Sequence, residues 1–129
     1  MASIKINNLK LSTIIGTKET ERKTPQKIRI DISFDYDSGR AEGSDNLKDA
    51  VNYQAISDDI SRRVKTSKFF LLEKLADEVC SILMSDKRIK LASVTVTKFK
   101  ALRNADSVSA TVTRARKQPA SLRNFKKAP

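Results

Sequence analysis

The sequence predicts an α+β fold: a four-stranded antiparallel sheet with two helices on one face, in the order β-β-α-α-β-β. Three observations lead to it. Apolar and polar residues alternate near both ends of the chain, the period of a strand with one buried face. Between these stretches the apolar spacing changes to three and four, as on amphipathic helices. A length of 129 residues suffices for one core and is too short for two.

The first strand carries Ile4 and Ile6, then Leu9 and Leu11, with Asn7-Asn8 breaking the phase between them. It therefore reads as a bent or bulged strand that runs through Ile14 and Ile15 into a turn at Gly16. Residues 17–25, with Glu19, Glu21 and Arg22, form a charged hairpin-type connection. From Gln26 to Tyr36 the alternation is strict, with Ile28, Ile30, Ile32, Phe34 and Tyr36 on one face. Residues 37–45, with Gly39, Gly43 and Ser44, have the composition of a loop. Ala55, Ile56, Ile60 and Val64 then share a helical face, and Leu71, Leu72, Leu75, Val79, Ile82 and Leu83 build a second helix to about Met84. Alternation returns over 91–98 and 107–114. Such a sheet has two open edges, which a small protein commonly covers with copies of itself, so a homo-oligomer is expected.

The chain contains no histidine and one cysteine. Ser-His-Asp triads, Cys-His dyads and histidine metal sites are therefore excluded, and no zinc site or cofactor is expected. Acid–base chemistry is left to Lys, Glu, Asp, Tyr or Cys80, and the spacing of Cys80 marks it as a packed helix residue. An unpaired cysteine, a start without a signal-type apolar run and the lack of a membrane-length apolar stretch point to the cytoplasm. The net charge of +11 raises a basic nucleic-acid-binding module as an alternative of a different class. Six of those cations, with no acid, lie in 114–129, and no recognition motif accompanies them. The expected organisation is a catalytic domain over 1–116 and a basic, flexible tail over 117–129.

Gly16, Glu21, Gln26, Ser44-Asp45-Asn46-Leu47, Asn52-Tyr53, Leu71-Leu72-Glu73-Lys74-Leu75 and Lys98 occur in the order and spacing of one family. Over residues 4–114 the chain resembles the dihydroneopterin aldolase/epimerase family of folate-type pterin metabolism. Ile6-Asn7-Asn8-Leu9-Lys10-Leu11 and the stretch from Lys98 to Ser109 are similar to its triphosphate epimerase branch, and Phe99 stands where aldolases usually carry proline. The resemblance implies the tunnelling fold (T-fold), a homo-octamer with active sites between subunits, and a pterin substrate. It implies epimerisation at C2' of dihydroneopterin triphosphate, with aldol cleavage as the alternative activity.

The resemblance also implies roles. Lys98 becomes the proton-transfer residue, where the sequence alone allows a solvated strand-end lysine. Glu73 would accept two hydrogen bonds from the pterin edge, or else serve as a first-turn acid facing the helix dipole. Glu21 would orient the hydroxylated side chain, and Tyr53 would reach in from a neighbouring subunit. Leu72 would line the ring pocket from the core side. Charge and position after Lys98 add Lys100 and Arg103, in a basic loop, as contacts for a triphosphate.

Overall fold

A computed structural model of the chain describes residues 1–117. The remainder of the expected tail, 118–129, lies outside the described residues. The elements are β1 (Ala2–Thr13), β2 (Gln26–Tyr36), α1 (Gly39–Ser44), α2 (Tyr53–Thr66), α3 (Leu72–Met84), β3 (Ile89–Leu102) and β4 (Ala105–Ala115). The strands form one antiparallel sheet in the order β1-β2-β3-β4.

The phase break in β1 is a bulge: pairing with β2 shifts between Ile6 and Leu9, and Asn8 takes a φ of 60°. Its backbone N–H is recovered by the Asp31 carboxylate at 2.8 Å. Because of that extra residue, Ile4 and Ile6 face the same side as Leu11, opposite Phe34, Ile32 and Ile28.

One face of β2 and β3 is buried completely, through Ile28, Ile30, Ile32, Phe34, Ala92, Val94 and Val96. Leu75, Val79 and Leu83 of α3 and Ile60 and Val64 of α2 complete the core. Each such side chain contributes roughly 1.5–3 kcal/mol of transfer free energy. Helix α3 lies over β3 and β4, while α2 lies beside β1. The Thr13 hydroxyl ties β1 to the end of α2 by donating to the Val64 carbonyl at 2.7 Å. On the edge strands the same face is only half buried, at Ile4, Ile6 and Leu9 and at Val108, Ala110 and Val112.

Four expectations require correction. The loop at 37–45 contains the short helix α1, because the Asp37 carboxylate accepts from the Gly39 N–H at 3.1 Å and Asp45, left-handed, closes the turn onto the Ala41 carbonyl at 2.9 Å. The strand placed at 91–98 runs on to Leu102, so Lys100 belongs to β3 and only Arg103-Asn104 make the turn to Ala105. Ala55 lies exposed in the first turn of α2, where Asn52 caps the Gln54 and Ala55 N–H groups. Leu71 precedes α3 as its N-cap residue and is 52% exposed, so the buried stripe starts later, at Leu75.

Candidate active site

Register places the candidate lysine. Lys98 pairs with Ile28, two residues after Gln26, so the connection between β1 and β2 folds over this end of β3. Within that connection Thr20–Arg22 form a 3-10 turn, and Glu21 Oε2 accepts a hydrogen bond from Lys98 Nζ at 2.7 Å. Both side chains are largely withdrawn from solvent, with 13% and 15% exposure.

The carboxylate is held from several sides. Gln26 Nε2 donates to Glu21 Oε2 at 3.1 Å and to the Ile15 carbonyl at 2.6 Å. The Lys18 backbone N–H donates to Oε1 at 3.2 Å. Gly16, at φ 120°, lets the carboxylate approach so closely that a Cβ there would overlap it. The Lys98 ammonium, aided by Gln26 and the Lys18 amide, outweighs burial and brings the Glu21 carboxyl down to about 2. At neutral pH Glu21 is therefore an anion and a hydrogen-bond acceptor.

Arg22, a charge of the connection that the sequence does not single out, joins this turn to the segment before α3. Its guanidinium donates to the carbonyls of Gly16 at 3.2 Å, Phe69 at 3.0 Å and Lys68 at 2.6 Å, and lies 4.0 Å from the Phe70 ring centroid. No local pattern marks it, because two of its three carbonyls lie more than forty residues away. Gln26 carries a faint signal as the polar opening of the strictly alternating strand.

Glu73 sits in the first turn of α3, shortly after the Arg22-clamped carbonyls, with an exposed carboxylate. Leu72 is partly buried against the core. Phe70 and Leu71, just before α3, are 59% and 52% exposed, and Phe70 carries the Arg22 guanidinium; Phe99, whose ring lies 5.8 Å from the Arg29 guanidinium on the other face of the sheet, and Leu102 are 42% and 59% exposed. Lys100 and Arg103 lie beyond Lys98 in the β3–β4 hairpin.

Tyr53 is not brought to this place. It starts α2 beside Ser3–Ile6, whose partners on β2 are residues 32–35, at least four residues along that strand from Ile28. That amounts to at least about 13 Å within one chain. Cys80 is fully buried, donates to the Val112 carbonyl at 3.4 Å, and burial pushes its thiol above the usual range, so it is a packing residue.

Comparison with known proteins decides what this arrangement belongs to. The family described as FolB dihydroneopterin aldolase matches residues 4–113. The chain belongs to the FolB dihydroneopterin aldolase family. It is 40% identical over 111 residues to the dihydroneopterin triphosphate 2'-epimerase of Escherichia coli K12, covering 86% of this chain and 92% of the relative. With the dihydroneopterin aldolase of the same strain the identity is 31% over 80 residues, 62% of this chain and 66% of that one. Among solved structures, Escherichia coli dihydroneopterin aldolase in complex with neopterin superposes with a TM-score of 0.83 at 27% identity, covering 89% of this chain and 100% of that one. The fold is the T-fold of the FolB proteins, and the chain is an enzyme of this family.

Proposed function

We propose that this FolB-family enzyme inverts C2' of 7,8-dihydroneopterin triphosphate to give 7,8-dihydromonapterin triphosphate by metal-free retro-aldol/aldol chemistry. The observation that carries it is the Lys98–Glu21 pair at 2.7 Å in its cradle of Gly16 and Gln26.

A 7,8-dihydropterin supplies its own electron sink, the N5=C6 imine. When the C1'–C2' bond breaks, its electron pair moves into the ring, N5 gains a proton and the 2'-hydroxyl loses one. Lys98 relays that proton, giving one to N5 and recovering one from the 2'-oxygen. Glu21 is too weak a base to take it and instead aligns the ammonium and the hydroxyl group. The freed aldehyde turns, re-adds through its other face, and the same proton path runs backwards.

Glu73 accepts the 2-amino and N3 hydrogens of the pterin, with Leu72 behind the ring. Tyr53 of a neighbouring subunit covers the substrate, and Lys100 and Arg103 face its phosphates. Half-buried edge strands and the exposed side chains of Phe70, Leu71 and Leu102 support assembly into a homo-octamer with its sites between subunits. A reducing cytoplasm suits the lone buried thiol of Cys80.

The second reading is dihydroneopterin aldolase, in which glycolaldehyde leaves and 6-hydroxymethyl-7,8-dihydropterin remains; the relative of that name favours it. Incubation with dihydroneopterin and with its triphosphate, followed by chiral chromatography of the products, tests both. The 2'-epimer of the triphosphate should dominate, and accumulation of hydroxymethyldihydropterin alone would replace the first reading with the second.

A further inference from the structure

We propose that Lys18 completes a polyphosphate-binding cleft with Lys100 and Arg103, and that it sets the preference for a triphosphate over the free pterin. The inference rests on the pterin reading above and adds to it a residue and a place. Lys18 belongs to the β1–β2 connection, whereas Lys100 and Arg103 belong to the β3–β4 hairpin, yet the three line one cleft of about 680 Å3. Among the described residues, the only carboxylate lining it is Asp106. Among the described residues none of the three cations forms an ion pair, in contrast to Lys98.

Two features make the cleft a built one. The β3–β4 pairing skips from Phe99 opposite Ser107 to Leu102 opposite Ala105, so that Lys100 and Ala101 stand against Asp106 alone. In this bulge Lys100 takes a φ of 59°, a conformation that costs a long side chain energy and re-aims it away from the regular pleat. Second, the backbone N–H of Lys18 is anchored on Glu21 Oε1 at 3.2 Å, so the cleft begins where the Lys98–Glu21 pair ends.

Substrate chemistry makes that adjacency informative. C2' is the reacting carbon, C3' is bonded to it, and the oxygen on C3' carries the first phosphate. Phosphates must therefore leave the reacting centre through whatever space adjoins Lys98 and Glu21. A flexible polyanion suits a mouth of three cations from two elements better than a single fork would. A larger basic groove, lined in part by Lys10, Arg29 and Lys65, runs along β1; like the cleft it has neither Glu21 nor Lys98 in its wall, but none of its lining residues hydrogen-bonds Glu21 as Lys18 does.

The test compares kcat/KM for dihydroneopterin triphosphate and for dihydroneopterin in the full-length enzyme. Lys18→Met keeps the backbone N–H to Glu21 and removes only the charge. The ratio of the two kcat/KM values should fall roughly tenfold or more, through KM for the triphosphate, the size of one charge-assisted contact. Lys18→Arg should retain most of the preference. Inorganic tripolyphosphate should bind the wild type in calorimetry and bind Lys18→Met at least several-fold more weakly. The double variant Lys10→Ala/Lys65→Ala should leave the ratio unchanged. An unchanged ratio in Lys18→Met, or a ratio that moves only in the Lys10/Lys65 variant, would overturn the inference. If the wild type turned over neither pterin, the pterin reading would fail, and equal tripolyphosphate binding by wild type and Lys18→Met would separately overturn the cleft.

Discussion

The two ends of the sheet differ in how much of their chemistry one chain completes. At the Lys98 end, four side chains and four carbonyls from the β1–β2 connection, β2, β3 and the segment before α3 converge through hydrogen bonds of 2.6–3.2 Å. At the other end Tyr53 is 52% exposed beside Ser3–Ile6 and faces no titratable partner of the site. The contrast shows what folding alone can organise. Ionic and backbone contacts within the chain orient the Lys98–Glu21 pair, whereas on the proposed reading the aromatic cover over the substrate comes from another copy.

The largest effect should come from breaking the finished end. Lys98→Ala is expected to lower kcat by about 10²–10⁴-fold, the worth of a positioned proton carrier. Its oligomeric state by sedimentation should be unchanged, since Lys98 adds nothing to the apolar core. Tyr53→Ala should lower activity less, and co-refolded mixtures of the two variants should be more active than the average of their parents, because some interfaces then combine an intact Lys98 with an intact Tyr53. If mixtures showed only that average, Tyr53 would not act across an interface.

Glu73→Gln should come next. An amide cannot accept two ring N–H groups, so the loss is about 1.5–3 kcal/mol, or one to two powers of ten in pterin affinity by calorimetry. Unchanged binding would leave Glu73 as a charge at the N-terminus of α3. A smaller effect is expected at Arg22, which acts on the site through the Gly16 and Phe69 carbonyls. Arg22→Ala should reduce kcat several-fold by letting Glu21 drift, at a stability cost of roughly 1–2 kcal/mol. Arg22→Lys should not rescue it, because an ammonium can neither reach three carbonyls from a planar fork nor stack on Phe70. Full rescue by lysine would reduce Arg22 to a surface charge.

How far the sequence disclosed this comparison depends on the length of the pattern involved. Strands β1 and β2, the bulge at Asn7-Asn8 and the helix faces through Ile60, Val64, Leu75 and Val79 follow from periodicity, because burial selects one residue in two or in three to four. Helix α1 was hidden by Gly39, Gly43 and Ser44, whose turn chemistry serves a six-residue helix as well as a loop. The end of β3 was hidden because Lys100 and Arg103 break the alternation where the bulge breaks the pleat. Lys98, Glu21 and Glu73 were legible only through resemblance. Lys18 and Arg22 were not legible as parts of a site, since their roles arise from contacts between segments that no spacing rule connects.

The smallest expected effect concerns pH and probes the finished end alone. Glu21 has an ordinary carboxyl value of 4.5 and is held at about 2 in the folded chain, chiefly by the hydrogen bond from Lys98. A carboxyl whose pKa is lower in the folded state stabilises the fold where it is ionised in both states, above the unfolded value. That contribution disappears as acid protonates it in the folded state too. Stability from this pair should therefore be complete above about pH 5.5 and decline between pH 4.5 and 2. Exposure of 15% at Glu21 leaves some screening by solvent, so the decline should amount to about 1–2 kcal/mol. Urea midpoints of wild type and Glu21→Gln, measured across that range, provide the check. The variant should be less stable at neutral pH, with Lys98 left without its acceptor, and the gap should narrow steadily below pH 4.5. A gap that stayed constant down to pH 2 would mean that the Lys98–Glu21 contact carries no net ionic stabilisation, and the contrast between the two ends would then rest on the Arg22 and Gln26 hydrogen bonds.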